Sequence, residues 1–396
     1  MRARPLLTAI LLCALPAALA AQDESKSTFE VYGFAMLDAG YNADQIDPLW
    51  FDVVRPTKLP AFENQFAPDG QAFFSVRQTR FGVRSSSETS MGTLKTQFEF
   101  ELFGTGVDAG QTTLRLRHAY GELGKFGAGQ TWSPFMDIDV FPNTVEYWGP
   151  NGMAFFRNVQ VRYMPIQGDT RMTIALERPG ASADQGDVAG RIEIQDVRPR
   201  FPVPDLSAEY RRATKWGYVE VAGIVRYIKW EDQGTDAFDL SGDAVGWGIN
   251  ASSNVKVGEG NVFRLSALYG EGIQNYMNDA PADVGIEPDP GNTTAPVKGV
   301  ALPVLGLVAF LDHTWNEKFS SSVGWSMIDI DNSELQSADA FHRGNYAIGN
   351  VAYYPVPGVM TVVELQYGDR TNFEDGFDTN IFRVQFSAKY NFSKTF

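Results

Sequence analysis

The chain has 396 residues, with 48 acids against 33 bases and a formal net charge of −15. That charge repels a phosphate backbone, and 44% hydrophobic with 13% aromatic residues is too apolar for a disordered chain, so nucleic-acid binding and disorder are both excluded. One cysteine and three scattered histidines make no zinc ligand set, and neither a metal nor a cofactor is expected.

The first twenty residues read as an export signal. Arg2 and Arg4 supply the positive start, Leu6 to Leu15 the apolar run, and Ala18-Leu19-Ala20 the cleavage site, so residues 1–20 should be removed before Ala21. The one cysteine, Cys13, lies inside that segment and follows Ile10, Leu11 and Leu12 rather than small residues. No disulfide and no lipid anchor are expected. Beyond it no run of ~20 apolar residues occurs, so no helix should span a membrane.

From Thr28 to Phe396 the pattern has period two. In Thr93–Phe103, Leu94, Thr96, Phe98, Phe100 and Leu102 share one face, and Lys95, Gln97, Glu99 and Glu101 the other. Gly217–Trp230, Val245–Lys256, Val262–Gly270 and Phe319–Asp329 alternate in the same way. Strands are predicted to begin near Thr28, Phe73, Thr93, Thr112, Phe126, Asn158, Thr170, Asp205, Gly217, Ala244, Asn261, Val304, Phe319, Tyr346, Val359 and Ile381. Short turns, such as Gly124–Lys125, Gly258–Gly260 and Asn316–Lys318, alternate with long loops, such as Asn42–Gln71, Ser133–Phe156 and Glu271–Pro303.

This alternation predicts an all-β fold: a transmembrane antiparallel β-barrel of about sixteen strands over residues 21–396, with short periplasmic turns and long extracellular loops. A soluble sandwich would also alternate. The charges, glycines and serines on the inward faces suit a wet lumen better, and a barrel this large should hold an aqueous bore rather than a filled core. The last strand places Phe382, Val384, Phe386, Ala388, Tyr390 and Phe392 at alternate positions before a final Phe396. That ending resembles the signal read by the outer-membrane assembly machinery, although Lys394 stands where an apolar residue is usual.

The inward parity collects arginines. Gln78, Arg80 and Arg84 share it on the second strand, Arg115 and Arg117 on the fourth, and Arg162, Arg211, Arg226, Arg264 and Arg383 elsewhere. A guanidinium stays charged and grips a carboxylate with two bonds, and rings of charge set the sign of a permeating ion. The bland reading is that these arginines only neutralise lumenal acids such as Glu99, Glu101 and Glu122. The loop Ser133–Phe156, after the fifth strand, carries Phe135, Asp137, Asp139, Glu146, Tyr147 and Trp148. It is expected to fold into the barrel and to set acids and aromatics opposite the arginine wall, producing a transverse field.

Four ordered motifs now stand out. They are Phe74 to Arg84 (FSVRQTRFGVR), Leu114 to Gly121 (LRLRHAYG), Gly129 to Asp137 (GQTWSPFMD) and Trp148 to Gly152 (WGPNG). Together they resemble the DcaP-like family of outer-membrane porins, densely between Phe74 and Tyr163 and thinly afterwards. The resemblance implies a homotrimer of sixteen-stranded barrels among outer-membrane lipids and lipopolysaccharide. It also implies passive passage of small anions, dicarboxylic and aromatic acids especially, past Arg80, Arg84, Arg115 and Arg117. The coiled coil that precedes the barrel in some members has no counterpart here: about eight residues part the cleavage site from the first strand, without heptads. Acids in Asp279–Asp289 are expected to repel anions at the mouth.

Rival readings are a general, weakly selective porin, a barrel enzyme and a soluble adhesin. An enzyme would need His118, His313 or His342 beside a serine and an acid, but His118 falls on the outward parity and the others lie far off in sequence. No catalysis is expected. Gly127-x-Gly129 lacks the third glycine of a dinucleotide loop, and Asp329-x-Asp331-x-x-Glu334 lacks the glycine and final glutamate of a calcium loop.

Overall fold

The computed structural model describes residues 27–180 and 189–396; the expected signal segment 1–20, with Cys13, lies outside the described residues. Sixteen antiparallel strands follow one another around a closed barrel. They are β1 Ser27–Asn42, β2 in two pieces (Gln71–Ser75 and Arg80–Thr89), β3 Gly92–Phe103, β4 Thr112–Leu123, β5 Phe126–Trp132, β6 Arg157–Ile166, β7 Arg171–Glu177 and β8, also in two pieces (Val197–Arg200 and Asp205–Thr214). The second half comprises β9 Gly217–Asp232, β10 Gly242–Val257, β11 Asn261–Glu271, β12 Pro303–Asn316, β13 Phe319–Ile330, β14 Phe341–Tyr353, β15 Val359–Asn372 and β16 Asp378–Thr395. Strand β16 pairs with β1 from Glu30↔Thr395 to Asn42↔Arg383, which leaves the sheet without an edge.

The period-two pattern does what it predicts. Leu94 and Phe98 of β3 are exposed on the outer surface, while Glu99 and Glu101 on the opposite parity are buried inside. Val219, Val221 and Val225 of β9 face out, and Glu220 and Arg226 face in. The short connections lie at one end (the turn end) and the long ones at the other (the loop end).

Three features depart from the simple alternation. First, β2 breaks at residues 76–79, where Thr79 N bonds Val76 O at 3.0 Å, and the break buries Arg77 against Asp52 (2.5 Å) and Gly104 O (2.8 Å). Second, β4 carries a bulge: Glu99 faces His118 while Phe100 faces Leu116, leaving Arg117 as the extra residue. The bulge reverses the parity after it. His118 therefore points inward, is buried, and its Nδ1 lies 3.0 Å from Thr131 Oγ1, correcting its expected outward placement.

Third, the loop end of the lumen is narrowed by packed side chains from more than the one loop expected to enter it. On β9 to β14 the inward parity turns apolar toward the loops, with Ile224, Ile228, Leu268, Phe310, Ile328 and Tyr346 all buried. The loop 133–156 lays Phe135, Met136 and Phe156 on that wall, and the loop 272–302 adds Tyr276 and Met277. The two loops are bonded backbone to backbone, Phe155 N to Tyr276 O and Asn278 N to Met153 O, both at 2.9 Å. The second loop also contains a small hairpin, Val284–Pro288 with Val297–Ala301. Burial of these side chains supplies the loops' ordering free energy, at roughly 25 cal/mol per Å² of apolar surface.

Candidate pore constriction

On the wall formed by β2, β3, β4 and β6, two carboxylates are surrounded by four guanidinium groups. Arg117 donates from Nε to Glu99 and from Nη1 to Glu101, both at 2.6 Å. Arg80 lies 3.2 Å from Glu101 and 3.6 Å from Glu99. Arg115 approaches Glu101 at 3.9 Å and Arg157 at 3.7 Å. Four cations against two anions leave the cluster with surplus positive charge. Tyr32 donates to Glu99 (2.8 Å) and Tyr147, from the loop, donates to Glu101, so the acids are saturated and fixed. Arg80, at 24% side-chain exposure, is the member that still meets the lumen; Arg117 behind it is buried.

The loop 133–156 crosses the lumen as a strut. Asp137 accepts from Arg211 (2.5 Å), Tyr218 (2.6 Å) and Ser252 (2.7 Å), and Asp139 also bonds Arg211. At mid-span Glu364 of β15 accepts from Thr144 Oγ1 (2.8 Å), Val145 N (3.1 Å) and Glu146 N (3.0 Å). Glu146 turns away from the arginines and accepts from Val54 N, Trp148 N and Tyr346 Oη at 2.9 to 3.1 Å. Burial pushes its carboxyl up from the ordinary value, against the pull of Arg383 and of backbone N–H groups. Phe135 is packed in the apolar core, and Trp148 sandwiches the Arg55 guanidinium against Trp50 at 4.1 Å to each ring. Arg55 is ion-paired to Asp279 at 2.9 Å.

Two sequence expectations are corrected by this geometry. The loop acids do not meet the arginine cluster: Asp137 and Asp139 are bound to Arg211 on β8, and Glu146 is buried among donors. Two aromatic residues of the loop meet the cluster: Tyr147, stacked on Phe103 at 4.0 Å, bonds Arg117 and Glu101, and the Trp148 ring lies 5.8 Å from the Arg115 guanidinium. Nor does Asp279–Asp289 present a free acidic mouth, because Asp279 and Asp283 are buried and ion-paired to Arg55 and Arg226 (3.3 Å).

Between cluster and strut lies a cavity of about 210 Å³. Arg80, Arg117, Gln78 and Lys389 give it polar walls, and Phe34, Met36, Phe141, Phe155 and Met360 give it apolar ones. Gln78 donates to Asp38 (3.0 Å) and to Val145 O (2.8 Å), which ties the wall to the loop. Lys389 rests its ammonium 4.0 Å over the Phe34 ring, and among the described residues no carboxylate lies within ion-pairing distance of it. The other expected wall residues sit elsewhere. Arg84 is paired to Glu30 (2.6 Å) near the turn end, and Arg162 lies over Tyr120, farther along the wall. Arg211, Arg226 and Arg264 are each ion-paired to acids.

Sequence reasoning missed Arg157 and Lys389. Lys389 does share the inward parity of β16 with Arg383, Gln385 and Ser387, so a count of charges on that parity would have found it. Arg157 opens β6 immediately after the loop, where parity has no preceding residue to be read from.

The fold agrees with solved structures. The channel DcaP of Acinetobacter baumannii superposes with a TM-score of 0.78 at 19% identity, covering 94% of this chain and 99% of that one. A structure described as an anion-selective porin from Comamonas acidovorans gives 0.59 at 9% identity, covering 93% and 100%. The trimer form of OmpT from Vibrio cholerae gives 0.56 at 12% identity, again covering 93% and 100%. No curated protein matches by sequence. Family and structural relatives are porin channels, a class without enzymes. The family signature described as DcaP outer membrane protein matches residues 22–245, more than half of the sequence, and the chain belongs to that family.

Proposed function

We propose that this protein is a trimeric channel through which small anions, dicarboxylates above all, diffuse passively across the outer membrane. One observation carries the reading. The cavity beside the pore loop is lined by Arg80 and by Lys389, which has no carboxylate within ion-pairing distance among the described residues, while the one acid on its lining, Glu146, turns its carboxylate to Val54 N, Trp148 N and Tyr346 Oη, and Asp137 and Asp139 are held by Arg211. A fixed positive potential in a confined, partly apolar site favours an anion with a carbon body, with the apolar walls taking the body and the cations the charge. The relative described as anion-selective and the relative in trimer form agree with this reading. Export by cleavage after Ala20 and recognition of the strand ending in Phe396 by assembly machinery belong to the same proposal.

The second reading is a weakly selective general porin. It is favoured by the local matching of Arg211, Arg226 and Arg264 to acids, which cancels most of the wall's charge. Swelling of protein-loaded liposomes separates the two. Succinate should enter faster than an uncharged solute of similar size, and Lys389→Gln should narrow that gap. Equal rates in the unaltered protein would select the general porin. An unboiled sample running as a heat-labile oligomer on a detergent gel would support the trimer.

A further inference from the structure

Below the constriction, toward the turn end, two cavities of about 370 Å³ each adjoin and share Lys95, Glu122 and Arg162. Their other charges are matched in pairs: Arg84 with Glu30 at 2.6 Å, Lys95 with Glu122 at 3.9 Å, Arg171 with Glu209 at 3.2 Å. Arg162 is the exception, with no carboxylate within 4 Å among the described residues. It is nevertheless held in place. Its Nε donates to Gln160 (3.1 Å), its Nη2 donates to Trp132 O (2.7 Å), and its guanidinium lies 4.9 Å over the Tyr120 ring.

The seat beneath it depends on a glycine. Tyr120 lies across Gly127, where a Cβ would fall 1.8 Å from the tyrosine hydroxyl. That hydroxyl donates to Glu122 at 3.1 Å, which anchors the ring. An arginine so fixed keeps Nη1 without an acceptor among the described residues and loses little rotamer freedom on meeting a ligand. Hydroxyls of Ser85, Thr96 and Thr131 line the same space, so it suits a hydrated oxyanion better than the apolar-walled constriction does.

We infer that Arg162, seated on Tyr120 over Gly127, forms a second anion site on the turn side of the constriction, which takes a carboxylate of the solute after it has passed Arg80 and Lys389. Conduction needs binding that is strong enough to enter and divided enough to leave, and a second site provides that division. The inference rests on the reading of the lumen as an anion path.

The test is block of single-channel current by succinate added from either side, in the full-length channel reconstituted in planar bilayers, with a bromide soak of crystals of the unaltered protein. Arg162→Gln should raise the half-blocking concentration from the turn side about tenfold, as loss of a charge-assisted contact implies, while Arg162→Lys, which keeps the charge and loses the stacked planar fork, should fall between that and the unaltered value. Gly127→Ala, which displaces Tyr120 without removing a charge, should move block in the same direction by less. Bromide should appear at Arg162. Unchanged block in Arg162→Gln, with block still sensitive to Arg80→Gln and Lys389→Gln, would overturn the second site and leave the constriction standing. Bromide at Arg162 without succinate block from either side would show an adventitious ion only and would overturn the carboxylate site together with the constriction reading. Neither block nor bromide would overturn both.

Discussion

At the loop end of the barrel, three loops meet over an apolar floor and their charges are spent on one another or on the wall: Arg55 of one loop on Asp279 of another, Arg77 at the break in β2 on Asp52, Arg226 of β9 on Asp283. At the turn end the inward faces carry hydroxyls, glutamine and matched surface pairs around open cavities, and apolar packing is sparse. The same barrel wall thus serves as a core in one half and a wet passage in the other. The boundary is the loop 133–156, whose acids are held by the wall and whose Tyr147 and Trp148 meet the arginine cluster. Charge in this lumen is informative only after its pairing is known. An arginine matched one to one with a buried acid holds the structure together, whereas Arg80, in a cluster where cations outnumber acids, and Arg162, which meets no carboxylate within 4 Å among the described residues, face the lumen.

The comparison can be broken most forcefully at the loop end. Arg55→Ala leaves Asp279 buried and unpaired and removes the stack on Trp50 and Trp148, a loss of about 3–5 kcal/mol. The loops should open to protease while the barrel persists, which limited proteolysis in detergent would reveal. Protease resistance equal to the unaltered protein would deny the latch any weight. Glu364→Gln should have the next largest effect. Its amide cannot accept from Thr144, Val145 and Glu146 as the carboxylate does, at a loss of about 1–3 kcal/mol, so the pore loop should loosen and the open-channel current become noisier. A quiet current of unchanged size would show that the strut is held without Glu364.

Two smaller changes sharpen the other half. Lys389→Gln removes a cation without an acid partner from the constriction and should lower the anion-to-cation permeability ratio by a factor on the order of three to ten, with unchanged heat stability on gels. A ratio that did not move would place selectivity elsewhere. Arg84→Gln removes a guanidinium that is 60% exposed and already paired to Glu30, so stability should change by about 0–1 kcal/mol and selectivity very little. A large shift from this variant would show that charge at the turn end is not neutralised locally.

Much of the fold was legible because a barrel wall has two solvents. Lipid outside and water or loops inside impose period two on every strand, and strand starts such as Thr112, Phe126, Gly217, Asn261, Phe319 and Val359 coincide with the structure. The entry of the loop 133–156 into the lumen followed from its length and place. The filling of the loop end was not legible, because Phe135, Tyr276 and Ile328 come from segments far apart in sequence that meet only when the barrel closes. His118 was misplaced because a bulge is set by the register of the neighbouring strand, not by the local pattern. Lys389 was hidden in a strand whose aromatic residues drew attention to its outer face, although parity alone places it inside.

The most direct test of the central claim is the reversal potential of the reconstituted channel under a potassium chloride gradient, for the unaltered protein and for Arg80→Gln with Lys389→Gln. The account predicts anion selectivity that falls sharply in the double variant. Cation selectivity that is the same in both proteins would contradict it.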